Sequence, residues 1–197
     1  MFAPIFHPAM KHVAKPRKEM GIRTVFNVLG PLTNPARAKK QIIGIADRSQ
    51  GELLAKVLGL LGSQHAMIVH GQDGLDEITI SCKTSVWEVK NNEIQAYALD
   101  PKELGVTANQ LDEIKGESIS DNVAMFRSVM EGQPGPCMDI VTLNAGAALY
   151  VAGAVGSIKG GRAIAEDCIK SGTARAKIDH LVNISQSIGI EDKEQAY

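Results

Sequence analysis

Two adjacent carboxylates, Asp76 and Glu77, end the glycine-bearing run HGQDGLDE (residues 70–77), which directly follows the apolar tetrad AMIV at 66–69. On a strand, neighbouring side chains point to opposite faces, whereas in a loop at a strand end both can converge. Such a pair suits Mg²⁺, which takes one or two carboxylates, keeps several waters and binds substrate phosphates. The same dipeptide also reads as a solvated acidic turn, and taken alone it favours that reading.

A second stretch is GIRTVFNVLGPLTNP (residues 21–35), preceded by the basic cluster Lys11, Lys15, Arg17 and Lys18 and carrying Arg23. Its apolar set Val25, Phe26, Val28 and Leu29 stops at Gly30-Pro31 and again at Asn34-Pro35. Gly30 has no Cβ to obstruct close approach, and Pro31 fixes its own φ and biases Gly30 away from the helical region. Thr33 and Asn34 are turn residues able to bond their own backbone. A stiff, bare-backbone corner flanked by cations suits a flat anionic ligand. A tight loop after a buried segment is the competing reading.

Other chemistries find less support. His7 and His12 are five apart, and with His65 and His70 they do not make a zinc spacing. The glycines of AGAVGSIKGG follow a helical pattern rather than a strand, which fails the context of a dinucleotide fingerprint. There is no Walker A sequence and no GxSxG elbow. Cys82, Cys137 and Cys168 are odd in number and widely spaced, so they read as reduced thiols. A net charge of −1 gives no basic field that would advertise nucleic acid or an anionic membrane. No apolar run reaches the length of a membrane span, and no signal-peptide layout opens the chain, so a cytoplasmic address is expected.

The elements that must position these residues follow from periodicity. Residues 9–20 read as a helix with Pro8 in its first turn, interrupted by Pro16 and stopped at Gly21. KQIIGIA (40–46) is a buried strand, residues 52–61 an amphipathic helix ended by Gly62, and 66–69 a second buried strand. That rhythm predicts an α/β unit with a parallel pair, whose strand ends are where ligands sit. Alternation over 78–82, 84–89 and 93–99, with Asn91-Asn92 as a hairpin signal, predicts antiparallel strands to follow. Residues 100–117 read as irregular, with helix starts at Asp100-Pro101 and Thr107. Helices are expected over 120–130 (N-cap Ser120 or Asp121), 138–154, 160–170 and 174–188, ahead of a fraying polar tail. The helix at 138–154 is rich in Ala and Gly, which permits close packing and a central place. The abrupt apolar start, MFAPIF, reads as the middle of a larger architecture.

Three stretches together resemble the anthranilate phosphoribosyltransferase family: FAPIFHPAMKHVAKPRKEMGIRTVFNVLGPLTNP, HGQDGLDEIT, and LNAGAALYVAG followed by a helix ending near IKSGTA. The resemblance runs from Phe2 to about Ile188. It implies an α/β fold with a mixed, mainly parallel sheet flanked by helices and a helical C-terminal section, of the kind shared with nucleoside phosphorylases. Residues 1–197 are then expected to form a single α/β catalytic-domain fragment. The implied reaction moves a phosphoribosyl group from phosphoribosyl pyrophosphate to the amine of anthranilate, with Mg²⁺, in tryptophan biosynthesis. Carried over by position, Arg17 resembles the arginine that engages the anthranilate carboxylate, a match for the planar guanidinium fork. Pro4, His7, Met10, Gly30 and Pro31 resemble the walls of the anthranilate channel, and Asp76 and Glu77 the metal-binding carboxylates. Neither the family's GTGGD loop, which cradles the pyrophosphate, nor its KHGN segment occurs in this chain. The chain is therefore expected to correspond to the C-terminal part of an enzyme that is a homodimer when intact, and to be inactive alone. The rival readings are a nucleic-acid-binding relative without catalysis, which a pI near 6.5 disfavours, and a pyrimidine nucleoside phosphorylase relative.

Overall fold

The computed structural model describes residues 36–107 and 110–194, together with 19, 30 and 32–34. Among these, four strands form one sheet in the order β1-β2-β3-β4: β1 Lys40–Gly44, β2 His65–Gly71, β3 Thr84–Lys90 and β4 Glu93–Leu99. Strands β1 and β2 run parallel, in register from Lys40↔His65 to Gly44↔Val69. Between them lies α1, Gly51–Leu60, entered through a 3-10 turn, Arg48–Gln50, whose N-cap Asp47 accepts from the Ser49 N–H. Gly62, at φ +75°, ends that helical segment as its position in the sequence predicts.

Strands β3 and β4 add in antiparallel fashion. Asn91 and Asn92 both take positive φ, 51° and 64°, the conformation of a two-residue hairpin turn matched to strand twist. The sheet is thus mixed, as expected, but parallel pairing does not predominate among the described residues: one pair is parallel and two are antiparallel.

Alternation along the strands divides the interior into two layers. Ala66, Ile68 and Val89 face α1, where they meet Leu54, Ala55 and Leu58. Met67, Val69 and Val86 face the other way, against Leu143, Ala147 and Val151 of α3 (Pro136–Ala152) and Ile158 of α4 (Ile158–Lys170). Helix α3 is central because its small residues allow close approach. A Cβ added to Gly146 would lie 2.4 Å from the Arg162 nitrogen, and one added to Gly161 would lie 2.3 Å from the Gly146 carbonyl oxygen.

Elsewhere the structure corrects the expected boundaries. Helix α2 covers Ile119–Met130 and is capped by Ser118, not by Ser120 or Asp121. Asp121 is the N3 partner of a reciprocal capping box, its carboxylate accepting from the Ser118 N–H at 2.9 Å. Among the described residues no helix begins at Asp100 or at Thr107. Residues 101–105 form turns, and a short 3-10 turn occupies Leu111–Ile114. Helix α5 extends from Thr173 to Glu194, well past the expected end. Residues 78–82 are not a strand. Their backbone N–H groups are drawn to side chains instead: Ile78 to Asn144, Thr79 to Thr84 and Ser81 to Thr79. The helix expected at 9–20 lies outside the described residues, apart from Glu19, which is helical.

Candidate active site

Asp76 and Glu77 sit in the loop that leaves the carboxyl end of β2, beside the carboxyl end of β1. His70 and Gly71, expected in that loop, belong to the strand. Both acidic side chains are exposed and have no hydrogen-bond or ion-pair partner among the described residues. The backbone leading into them is folded into a tight turn. Gly71 N–H donates to the Leu75 carbonyl at 2.8 Å, and Gly74 N–H to the Gly71 carbonyl at 2.9 Å, with Gly74 at φ +96°.

Asp73 organises the turn. Its carboxylate accepts from the Leu75 N–H at 3.1 Å, from the Thr79 hydroxyl at 2.5 Å and from the Ser81 hydroxyl. Burial opposes its charge, but hydrogen bonds from Ser81, Thr79 and the Leu75 N–H outweigh that, holding the carboxyl below its ordinary range. Asp73 is thus a structural anion, spoken for by its own loop, whereas Asp76 and Glu77 are left to the solvent.

Two further contacts hold the loop against the core. The carbonyl of Asp76 lies over Gly44 at the end of β1, where a Cβ would fall 1.6 Å from it. From α3, the Asn144 carboxamide pairs with the Ile78 peptide, accepting from its N–H at 3.1 Å and donating to its carbonyl at 2.9 Å. His70, buried at the end of β2, bridges to the Ile45 carbonyl at 2.8 Å through Nδ1.

Mg²⁺ fits this donor set. Two exposed, unpaired carboxylates on a fixed loop are hard oxygen donors that leave room for water and phosphate ligands. No group of three or more His, Cys, Asp or Glu side chains gathers among the described residues, so nothing there offers a closed all-protein cage.

Of the other expected site residues, Pro4, His7, Met10, Arg17 and Pro31 lie outside the described residues. Gly30 is described. Its carbonyl accepts from the Thr33 N–H at 3.4 Å and the Thr33 hydroxyl at 3.3 Å, and no described atom lies within 4 Å of where its Cβ would be. Gly30 is helical, contrary to the bias expected from Pro31. Part of the clash that disfavours a helical residue before proline is with its Cβ, which glycine lacks, and this lowers the cost at Gly30. The next turn forms as expected: the Asn34 side chain accepts from the Ala36 N–H at 3.0 Å and its carbonyl from the Arg37 N–H at 2.9 Å.

Sequence reasoning passed over Asp73 and Asn144. Both left a signal. Asp73-Gly74 is a turn dipeptide just before Leu75, and Asn144 is a lone amide in an almost wholly apolar helix.

Comparison with known proteins gives this site its context. The glycosyl transferase family, a/b domain, is matched over residues 1–175. The anthranilate phosphoribosyltransferase of Thioalkalivibrio sulfidiphilus is 49% identical over 187 residues, 95% of this chain and 55% of that protein. The crystal structure of anthranilate phosphoribosyltransferase from Thermus thermophilus superposes with a TM-score of 0.82 at 40% identity, over 90% of this chain and 52% of that one. The Saccharomyces cerevisiae enzyme in complex with phosphoribosyl pyrophosphate and Mg gives 0.81 at 30% identity, over 92% of this chain and 52% of its own. The chain spans about 55% of the length of the curated relatives it matches.

Proposed function

Since the chain belongs to the glycosyl transferase family, a/b domain, we propose that its site serves phosphoribosyl transfer from phosphoribosyl pyrophosphate to the amine of anthranilate. The observation that carries this reading is the state of Asp76 and Glu77. They are exposed and unpaired on a tethered loop at the carboxyl end of a parallel strand, in a chain about half identical to proteins named for that reaction. In this reading residues 1–197 act as one α/β catalytic unit, working in the cytoplasm as part of a longer, homodimeric enzyme.

The chain's own contribution is positional and electrostatic. Asp76 and Glu77 would hold Mg²⁺, which when bound neutralises the pyrophosphate leaving group. The Arg17 guanidinium grips the anthranilate carboxylate as a bidentate fork and so orients the amine toward the ribose carbon. Pro4, His7, Met10, Gly30 and Pro31 wall the aromatic ring and keep water from competing for the ribosyl group. The tethers on the acidic loop mean that little reorganisation is needed when charge develops on the ribose.

The substrate assignment is tested by isothermal titration of anthranilate into the chain and into Arg17→Ala. Saturable binding that Arg17→Ala weakens at least tenfold supports it. Equal binding by both proteins, or a preference for benzene-ring ligands lacking the carboxylate, removes anthranilate as the acceptor.

A further inference from the structure

The acidic pair is exposed, yet the peptide immediately after it is not free. Ile78 is fully buried, follows Glu77 directly, and spends both of its backbone groups on one side chain from a helix 66 positions away. We propose that Asn144 is a positioning residue for Asp76 and Glu77. This proposal rests on the metal-binding reading of that pair.

An asparagine carboxamide offers an acceptor and a donor side by side, as a backbone peptide does. Asn144 therefore acts on Ile78 as one rung of a neighbouring strand would, at a place where the chain has left the sheet. Residues 78–82 do not pair as a strand, so without Asn144 both Ile78 groups would be buried without these partners. The amide is itself fixed, because its Nδ2 also donates to the Ile140 carbonyl at 3.0 Å, one helical turn back. It projects from a helix that carries Leu143 and Ala147 into the core, so its origin is as rigid as the fold provides.

The three loop anchors divide the work. Asp73 shapes the turn before the pair, Gly44 receives the Asp76 carbonyl beneath it, and Asn144 holds the peptide after it. Asn144 is the one of the three whose side chain reaches in from another element. It ties the direction of the Glu77 side chain to the position of α3. Because the link is a pair of hydrogen bonds, neither an isosteric carboxylate nor a truncated side chain replaces it. A carboxylate cannot donate to the Ile78 carbonyl, and alanine offers nothing.

The test compares the full chain with Asn144→Ala, Asn144→Asp, the core control Leu143→Ala and the double variant Asp76→Asn/Glu77→Gln. Two readouts are taken: Mn²⁺ binding from the electron paramagnetic resonance signal of the free ion, and amide hydrogen exchange along residues 74–78. The expected result is at least tenfold faster exchange at Ile78 and its preceding loop in Asn144→Ala, and a smaller increase in Asn144→Asp, whose carboxylate still accepts from the Ile78 N–H but cannot donate to its carbonyl. Mn²⁺ affinity should fall about tenfold or more in Asn144→Ala, and Leu143→Ala should show neither change at the same margin below its melting temperature. Unchanged exchange over 74–78 in Asn144→Ala overturns the proposal, as does an equal loss of Mn²⁺ binding in Leu143→Ala. The double variant separates the two ideas. If Mn²⁺ binding ignores it while Asn144→Ala still releases the loop, the metal reading of the pair fails and the positioning of the loop by Asn144 stands.

Discussion

The carbonyl of Asp76 rests on the α-carbon of Gly44, so closely that a methyl group on Gly44 would fall 1.6 Å from the oxygen. The first and second strands are parallel neighbours, and this contact locks the loop after the second onto the end of the first. Gly44→Ala must therefore displace the loop. A cost of about 1–3 kcal/mol is expected from overpacking, with a disproportionate loss of divalent-cation affinity. Thermal unfolding and Mn²⁺ titration on the same sample check this, since a merely strained fold would change the first and spare the second.

Gly146 and Gly161 set the separation of α3 and α4. Either glycine replaced by alanine drives a Cβ to within 2.4 Å of the opposing backbone. We expect Gly146→Ala and Gly161→Ala each to destabilise the fold by about 1–3 kcal/mol, and the double variant to cost less than the sum, because one separation of the helices relieves both clashes. Chemical denaturation of the three variants measures this.

At the far end of the sheet from the acidic loop, Glu88 is buried and accepts from Tyr97 at 2.6 Å and Tyr150 at 2.9 Å, with His65 Nε2 at 2.7 Å. Lys90 lies over the Tyr150 ring and donates to its hydroxyl at 3.2 Å. Burial works against the charge, but hydrogen bonds from Tyr97, His65 and Tyr150 overcome it, so the Glu88 carboxyl is held below its ordinary 4.5. A depressed folded-state value gives stability that is present above the unfolded value and is lost as pH falls through the folded one. Melting temperature should therefore drop as pH is taken below about 4.5. Glu88→Gln should be less stable near neutrality by about 1–3 kcal/mol and should flatten that acid limb.

Arg162 ties α4 to α3 and to the turn before Val106. Its guanidinium donates to Asp139 at 2.7 Å and to the carbonyls of Leu104 at 3.2 Å and Gly105 at 2.7 Å. Arg162→Lys keeps the charge but cannot span these acceptors with one ammonium. It should recover less than half of the stability lost in Arg162→Ala, as read from denaturation midpoints.

Much of this architecture was legible from pattern alone. The apolar runs at β1 and β2 flank an amphipathic segment with buried Leu54 and Leu58, and Asn91-Asn92 needed only its turn chemistry. The segment 78–82 departs from the expected strand because its alternation of apolar and polar residues is real, yet its hydrogen bonds go to Asn144, Thr84 and Thr79 rather than to a strand. Local periodicity reports which side chains are buried, not which partner the backbone finds. The cap of α2 differs for a similar reason: the expectation considered Ser120 and Asp121 and passed over Ser118, whose reciprocal bonds with Asp121 make it the cap. At the site, Asp76 and Glu77 were visible as residue types. The groups that hold them were not, since Asn144 is distant in sequence and Gly44 acts through the absence of a side chain.

The central claim, that Asp76 and Glu77 form a divalent-cation site on a fixed loop, is tested most directly by adding trace Mn²⁺ to the isotope-labelled chain and following its amide resonances. Preferential broadening of residues 74–78, abolished in Asp76→Asn/Glu77→Gln, is the result this account predicts. Broadening centred elsewhere, or identical in the variant, would contradict it.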